Sequence, residues 1–285
     1  MRRAAALLLF AGGSTWLTAG CAAPPAVVDE TSFWLKVCAQ HGYTQAETAM
    51  ATGLEAKDVA RRDVRAEPPA PFAILPYPGG RHPRIGFLDG AIDPHRDTKF
   101  SLFLPGGGYA VVDFPEAIWA DKELQYLAHT HLPTAWDKKG LKLPRMDWTR
   151  TAEGLEARRV MPDGLEFRAK VRPGERGAEM ELALRNGSDR VRTGLRVQVC
   201  VMLKGAPGFE AQAKENKRHL PEALCAARSE DGRRWLAVRF ERAKTWDNPP
   251  CPCIHSDPTF PDLAPGEEAV VRGRVWLHEG EAPPR

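Results

Sequence analysis

The richest chemistry in this chain lies between Trp246 and Pro258, W-D-N-P-P-C-P-C-I-H-S-D-P. Cys251, Cys253 and His255 alternate there, and Asp257 follows two residues later. Thiolates beside an imidazole suit copper or zinc, and His255 or Asp257 has the proton affinity of a general acid. Structural zinc sites usually separate paired cysteines by two to four residues and add a second pair, which this stretch lacks. Its four prolines argue for a rigid loop rather than a helix or a central strand. A second group is His129-Thr130-His131, followed by Trp136-Asp137-Lys138. On a strand, His129 and His131 would share a face, placed to hold a metal jointly or to act as acid and base near neutral pH. The competing reading is a pair of hydrogen-bonded imidazoles with no further role.

A third group is the polar stretch from Lys204 to Lys217, expected to be a loop at the end of a strand, where binding groups commonly sit. Lys204, Phe209, Asn216 and Lys217, with Trp136, Asp137, Lys138 and Trp246, offer stacking and hydrogen-bonding groups for a hydroxyl-rich ring. The alternative is a solvated connector. The candidate metal set is therefore His129, His131, Cys251, Cys253 and His255, and the candidate catalytic set is His129, His131, His255 and Asp257. None of the three groups specifies a cofactor. Gly106-Gly107-Gly108 has no helix pattern after it and reads as a hairpin turn, not a phosphate loop.

Short β-type runs must position these groups: Lys99 to Leu104, Tyr109 to Phe114, Arg145 to Thr151, Leu155 to Val160, Leu165 to Val171, Ala178 to Arg185, Leu195 to Leu203, Ala223 to Ser229, Arg234 to Phe240 and Ala269 to His278. Alternation such as Glu179-Met180-Glu181-Leu182 marks half-buried strands, and Pro162-Asp163-Gly164 and Asp231-Gly232 are tight turns. Many strands at short spacing with little helix between them predict a mainly β, antiparallel sandwich over 84–285. Upstream, residues 31–63 read as a small helical hairpin. Thr44 and Glu47 form its capping box, Gly53 ends one helix, and a second runs from Glu55 to Arg62. The text T-Q-A-E-T-A-M-A-T-G-L-E-A-K-D-V-A-R-R resembles a helix-turn-helix DNA reader, but the chain lacks the basic surface such a reader needs. Residues 64–83, studded with prolines, read as a linker.

The first twenty residues have the n-, h- and c-regions of a secretory signal, with Arg2 and Arg3 ahead of an apolar run. The run T-A-G-C ending at Cys21 resembles the lipobox of bacterial lipoproteins, which implies acylation of Cys21, although Thr18 stands where an aliphatic residue is usual. Residues 21–30 would then be a lipidated tether and the protein would sit in the cell envelope, held to the membrane by Cys21. Removing Arg2 and Arg3 from the 40 basic residues leaves 38 against 37 acidic ones, so a nucleic-acid partner is not expected. Beyond Cys21 five cysteines remain, an odd number that leaves at least one thiol outside any intrachain disulfide. Cys200 and Cys225 lie in apolar runs and read as small buried hydrophobes.

The carboxy-terminal half carries N-G-S-D-R-V-R-T-G-L-R-V-Q-V-C, D-G-R-R-W, N-P-P-C-P-C-I-H-S-D-P and L-A-P-G-E-E-A-V-V-R-G-R-V-W-L-H-E-G. In that order they resemble a group of exported proteins of environmental bacteria whose β-rich body is similar to the galactose-mutarotase-like supersandwich. The resemblance implies a concave sheet face that binds sugars, but no catalytic position maps across. The resulting expectation is a lipid-anchored envelope protein that binds carbohydrate or another small polar ligand. If it is an enzyme, the reaction expected is epimerisation or lyase-type proton abstraction. A metal-binding envelope protein and a non-catalytic envelope scaffold are the alternatives. The carbohydrate and metal readings both require the His129 region and the Cys251 stretch to converge.

Overall fold

A computed structural model describes residues 29–62, 64–81, 96–129, 132–211, 213–248 and 251–285. Cys21 with the signal and tether, and His131, lie outside the described residues. The strands, in chain order, are β1 (Ile74–Pro76), β2 (Lys99–Phe103), β3 (Tyr109–Ala120), β4 (Glu123–Leu127), β5 (Thr149–Arg150), β6 (Leu155–Val160), β7 (Leu165–Gly174), β8 (Gly177–Asn186), β9 (Arg196–Met202), β10 (Lys217–Leu220), β11 (Leu224–Arg228), β12 (Arg234–Phe240), β13 (Ala243–Trp246), β14 (Cys253–Pro258) and β15 (Glu268–Glu279). They form two antiparallel sheets, the sandwich expected from the alternation. Sheet A runs β1-β2-β3-β9-β14-β13, with β4 also paired to β3, and sheet B runs β10-β11-β12-β15-β8-β7-β6-β5.

The two inner faces meet in one apolar core. Phe100, Leu102, Val112, Phe114, Val199, Val201 and Ile254 come from sheet A, and Phe167, Val171, Leu182, Leu184, Leu236, Val238 and Val275 from sheet B. Alternation on β6, β7 and β8 leaves that part of the other face of sheet B charged and laced with ion pairs such as Arg158–Glu166, Lys170–Glu156 and Arg272–Glu181, while Leu224, Trp235 and Trp276 make the face apolar at β11, β12 and β15. The turn between β6 and β7 needs its glycine: Gly164 has φ +87, and a Cβ there would stand 2.9 Å from the Gly187 backbone.

Two expectations are corrected. Cys253 to Pro258 is not a loop: β14 lies between β9 and the edge strand β13 of sheet A. The prolines bracket it, with Pro252 ahead of the strand and Pro258 as its last residue; the Cys253 amide donates to the Cys251 carbonyl, and no proline removes an amide from Ile254 to Asp257. The proline-rich span expected as a linker contains β1, which pairs Leu75 with Ser101 at the edge of sheet A.

Three helices precede the sandwich: α1 (Glu30–Gln40), α2 (Gln45–Thr52) and α3 (Ala56–Arg62). Thr44 and Glu47 close a reciprocal capping box on α2, and Gly53 ends it in the left-handed conformation at φ 73. Thr44→Ala removes the side-chain acceptor for the Glu47 amide and should cost about 1 kcal/mol in urea unfolding. The helices lie against the outer face of sheet A. The ring of His41 contacts Phe103 and Tyr109 edge-on, and its Nε2 lies 2.8 Å from the Ser101 hydroxyl.

Candidate functional site

The outer face of sheet A changes character along its length. Near the helices it is apolar and aromatic, with Tyr77, Phe103, Tyr109, Val111 and Met202. Further along, the same face carries Lys99 on β2, Asp113 on β3, Cys200 on β9, and Cys253 and His255 on β14, all at most 1% exposed. Register dictates this grouping. Asp113 pairs with Cys200, Cys200 pairs with His255, and Cys253 lies two residues from His255 on the same side of its strand.

Glu116 joins them through an irregularity. Strict alternation would send Asp113 and Glu116 to opposite faces. However, β3 pairs Asp113 with Cys200 and Ala117 with Gln198, so it carries two more residues than β9 over this interval. Such bulges re-aim side chains, and here both carboxyl groups turn to His129, which follows β4. The His129 Nε2 lies 3.0 Å from Asp113 Oδ2 and 3.1 Å from Glu116 Oε1. Lys99 Nζ donates to the Ala128 carbonyl at 2.8 Å and sits 3.3 Å from Asp113 Oδ1.

Glu116 also links the two histidine regions, since its Oε2 stands 3.9 Å from His255 Nδ1. The other edge of that ring meets sulfur, with Nε2 3.5 Å from Cys253 Sγ. Asp257 Oδ1 is 3.8 Å from Nδ1 and accepts from the Val199 amide, while its Oδ2 accepts from the Trp246 indole at 2.6 Å. Trp246 stacks on His255 with 3.8 Å between centroids and covers it from solvent. Burial works against charge on His255, but Cys200, Glu116 and Asp257 outweigh it and lift the ring to about 9. Burial raises Asp257 to about 6, against the opposing pull of His255, the Val199 amide and the Trp246 indole.

The structure thus brings His129, Cys253, His255 and Asp257 together from the candidate sets. Asp113, Glu116, Lys99 and Cys200 complete the cluster and were not in either candidate set. The sequence signal for two of them is an Asp and a Glu flanking a proline inside the apolar run Y-A-V-V-D-F-P-E-A-I-W-A, since carboxylates are seldom fully buried without a partner. Cys200, expected to be a plain buried hydrophobe, belongs to the group holding Cys253 and His255.

Other candidates have structural duties instead. Trp136 is buried in the core and its indole donates to the Gln125 carbonyl. Phe209 is fully buried, because the stretch after β9 folds back onto the core. Lys217 is buried on β10 with Nζ 2.9 Å from the Cys251 carbonyl, and Cys251 lies in the same apolar cluster as Tyr77, Met202, Cys200 and Cys253 without joining the group of ligand-type atoms at His255. Trp246 spends one ring face on the protein's own imidazole. Asp137 accepts from the Thr134 amide and hydroxyl, Lys138 is exposed, and Lys204 and Asn216 are half-buried. The described contacts of the histidine cluster do not include these four.

On one side the cluster borders a cavity of about 670 Å³. His129 lines it with Asp97, Tyr126, Thr134 and Asp137, together with the basic residues Lys142, Arg145 and Arg159. Leu132, Leu143 and Pro144 supply apolar wall.

No family model matches the chain, and no curated protein matches it. Among solved structures it is similar to a polysaccharide lyase, at 13% identity and a TM-score of 0.33, over 61% of this chain and 25% of that one. The chain therefore spans a quarter of the lyase's length, and nothing of the lyase's activity transfers at that degree of likeness.

Proposed function

We propose that this is an exported, lipid-anchored β-sandwich protein of the supersandwich type that binds a carbohydrate or a comparable hydroxyl-rich ligand in the cavity bordered by His129. The observation that carries the reading is the cavity itself. At about 670 Å³ it falls in the range that encloses a small ligand, and it mixes apolar wall with converging polar groups. His129 is well suited to a fixed role there, because Asp113 and Glu116 behind it hold the ring in place. A ring hydroxyl in the cavity would meet the Lys142 ammonium and the Arg145 guanidinium, both on exposed residues of the lining, against a wall backed by the buried His129 ring. The secretory signal and the T-A-G-C run at Cys21 support the anchoring part of the reading.

The test is a glycan array followed by calorimetry on the full mature chain. A glycan should bind, and Lys142→Ala with Arg145→Ala should weaken it by at least about 10-fold, since each charged hydrogen bond is worth about 1.5–3 kcal/mol. His129→Gln should weaken it less, since the buried ring supports the cavity wall from behind rather than contacting the ligand. The absence of any glycan hit, or affinity unchanged in the double variant, would overturn the reading. Anchoring is checked separately by incorporation of an alkyne-tagged fatty acid, which should vanish in Cys21→Ser.

A further inference from the structure

We propose that Cys200, Cys253 and His255 are the protein ligands of one zinc ion on the outer face of sheet A, with a fourth position left to a small donor. The sheet register builds the three-sided site without help from a loop. Cys200 stands directly across from His255, and Cys253 projects from the same side of β14 two residues away. The two sulfurs and an imidazole nitrogen all lie within 4.8 Å of one another.

The thiols are not joined in a disulfide, and the spacing of sulfur and ring nitrogen, close enough for a hydrogen bond, also suits two ligands of one ion. Zinc–sulfur and zinc–nitrogen bonds of about 2.3 and 2.0 Å at a tetrahedral angle place sulfur and nitrogen roughly 3.6 Å apart. The Cys253 Sγ to His255 Nε2 distance is 3.5 Å. Two thiolates and one imidazole with an open position form a donor set that zinc accepts, and binding would displace whatever protons the two sulfurs and the ligating ring nitrogen carry.

The far side of the ring supplies independent support. A ligating histidine commonly turns its other nitrogen to a carboxylate, which fixes its orientation. His255 presents Nε2 to sulfur and Nδ1 to Glu116 and Asp257, at 3.9 and 3.8 Å. That Nδ1 is fully buried and makes no hydrogen bond within the described residues. Trp246, stacked on the ring and bonded to Asp257, blocks rotation.

The neighbouring group of Asp113, Glu116 and His129 also gathers ligand-type atoms. It is not assigned a metal, because the Lys99 ammonium already stands 3.3 Å from Asp113 and neutralises part of its charge. The assignment is independent of the glycan reading, since none of the three ligands lines the His129 cavity.

The test is elemental analysis of the full mature chain purified without chelators, alongside cobalt substitution of the wild type. The expected results are about one zinc per chain and a thiolate-to-cobalt charge-transfer band. Cys253→Ser and Cys200→Ser should each lose the band, while Cys251→Ser should keep both band and zinc. Metal-free protein that gives no cobalt band, a Cys200–Cys253 disulfide found by mass spectrometry, or equal loss in Cys251→Ser would each overturn the assignment. Because the wild-type cobalt spectrum is decisive alone, a variant that fails to fold leaves the test intact.

Discussion

Lys99→Met should destabilise the protein by about 3–5 kcal/mol, the usual penalty for removing one partner of a buried ion pair. The side chains of Lys99 and Asp113 are 1% and 0% exposed, and Glu116 lies just beyond on the same His129 nitrogen. Methionine matches the lysine stem closely, so the loss reports charge rather than volume. It also removes the bond to the Ala128 carbonyl that ties β2 to the segment carrying His129. Adding Asp113→Asn to Lys99→Met should recover a large part of the loss, because the orphaned charge disappears with its partner. Urea unfolding of the two single variants and the double variant yields the coupling directly. A cost below about 1 kcal/mol for Lys99→Met, or no recovery in the double variant, would mean that Asp113 is compensated by something other than Lys99.

The same pair shows where sequence reasoning reaches its end. Lys99 and Asp113 are fourteen positions apart in the chain and meet only because β2 and β3 pair them directly. Nothing local announces that pairing. Short strands rich in β-forming residues between turn signals were legible: Leu155 to Val160 and Arg234 to Phe240 occur with the expected bounds. The capping box at Thr44 and the turn at Gly164 were legible for the same reason, since each is specified by a few adjacent residues. β14 was not, because its flanking prolines look like breakers unless one knows that their missing amides fall outside the pairing interval. Histidine and cysteine drew attention by residue type, so half of the cluster was found. Its remainder depends on the order β2-β3-β9-β14 and on the two-residue irregularity in β3, both properties of the assembled sheet. Two of the aromatic candidates, by contrast, turn inward. Trp136 and Phe209 lie in polar-looking connections, and burial of a large ring in the core outweighs its availability to a ligand.

Acid should loosen the helical cover of sheet A in a window set by one histidine. His41 is 4% exposed; its Nδ1 donates to the Val37 carbonyl at 2.7 Å, and its Nε2 faces the Ser101 hydroxyl at 2.8 Å. Its neighbours are Tyr43, Tyr77, Phe103 and Tyr109, and the nearby charges are the Arg81 guanidinium and its partner Glu47. Burial, opposed by the Val37 carbonyl and assisted by Arg81, holds the ring down at about 4 against an ordinary 6.5. The unfolded chain therefore takes up a proton as pH falls through 6.5, whereas the folded chain does so only near 4. Stability from the neutral ring is complete above 6.5 and is lost between 6.5 and 4, by about 3 kcal/mol in all. The Glu47–Arg81 pair acts in a different window. The Arg81 hydrogen bond holds Glu47 at about 2, so its contribution persists until the pH drops below the ordinary 4.5. His41→Gln separates the two effects, since the amide keeps polar reach towards Val37 and Ser101 but cannot titrate. Melting temperature measured from pH 7 to 4 should fall more steeply in the wild type than in His41→Gln, with the curves converging near pH 4. Parallel curves across that interval would show that the ring gains its proton equally in both states and that the helices are not held through a neutral His41.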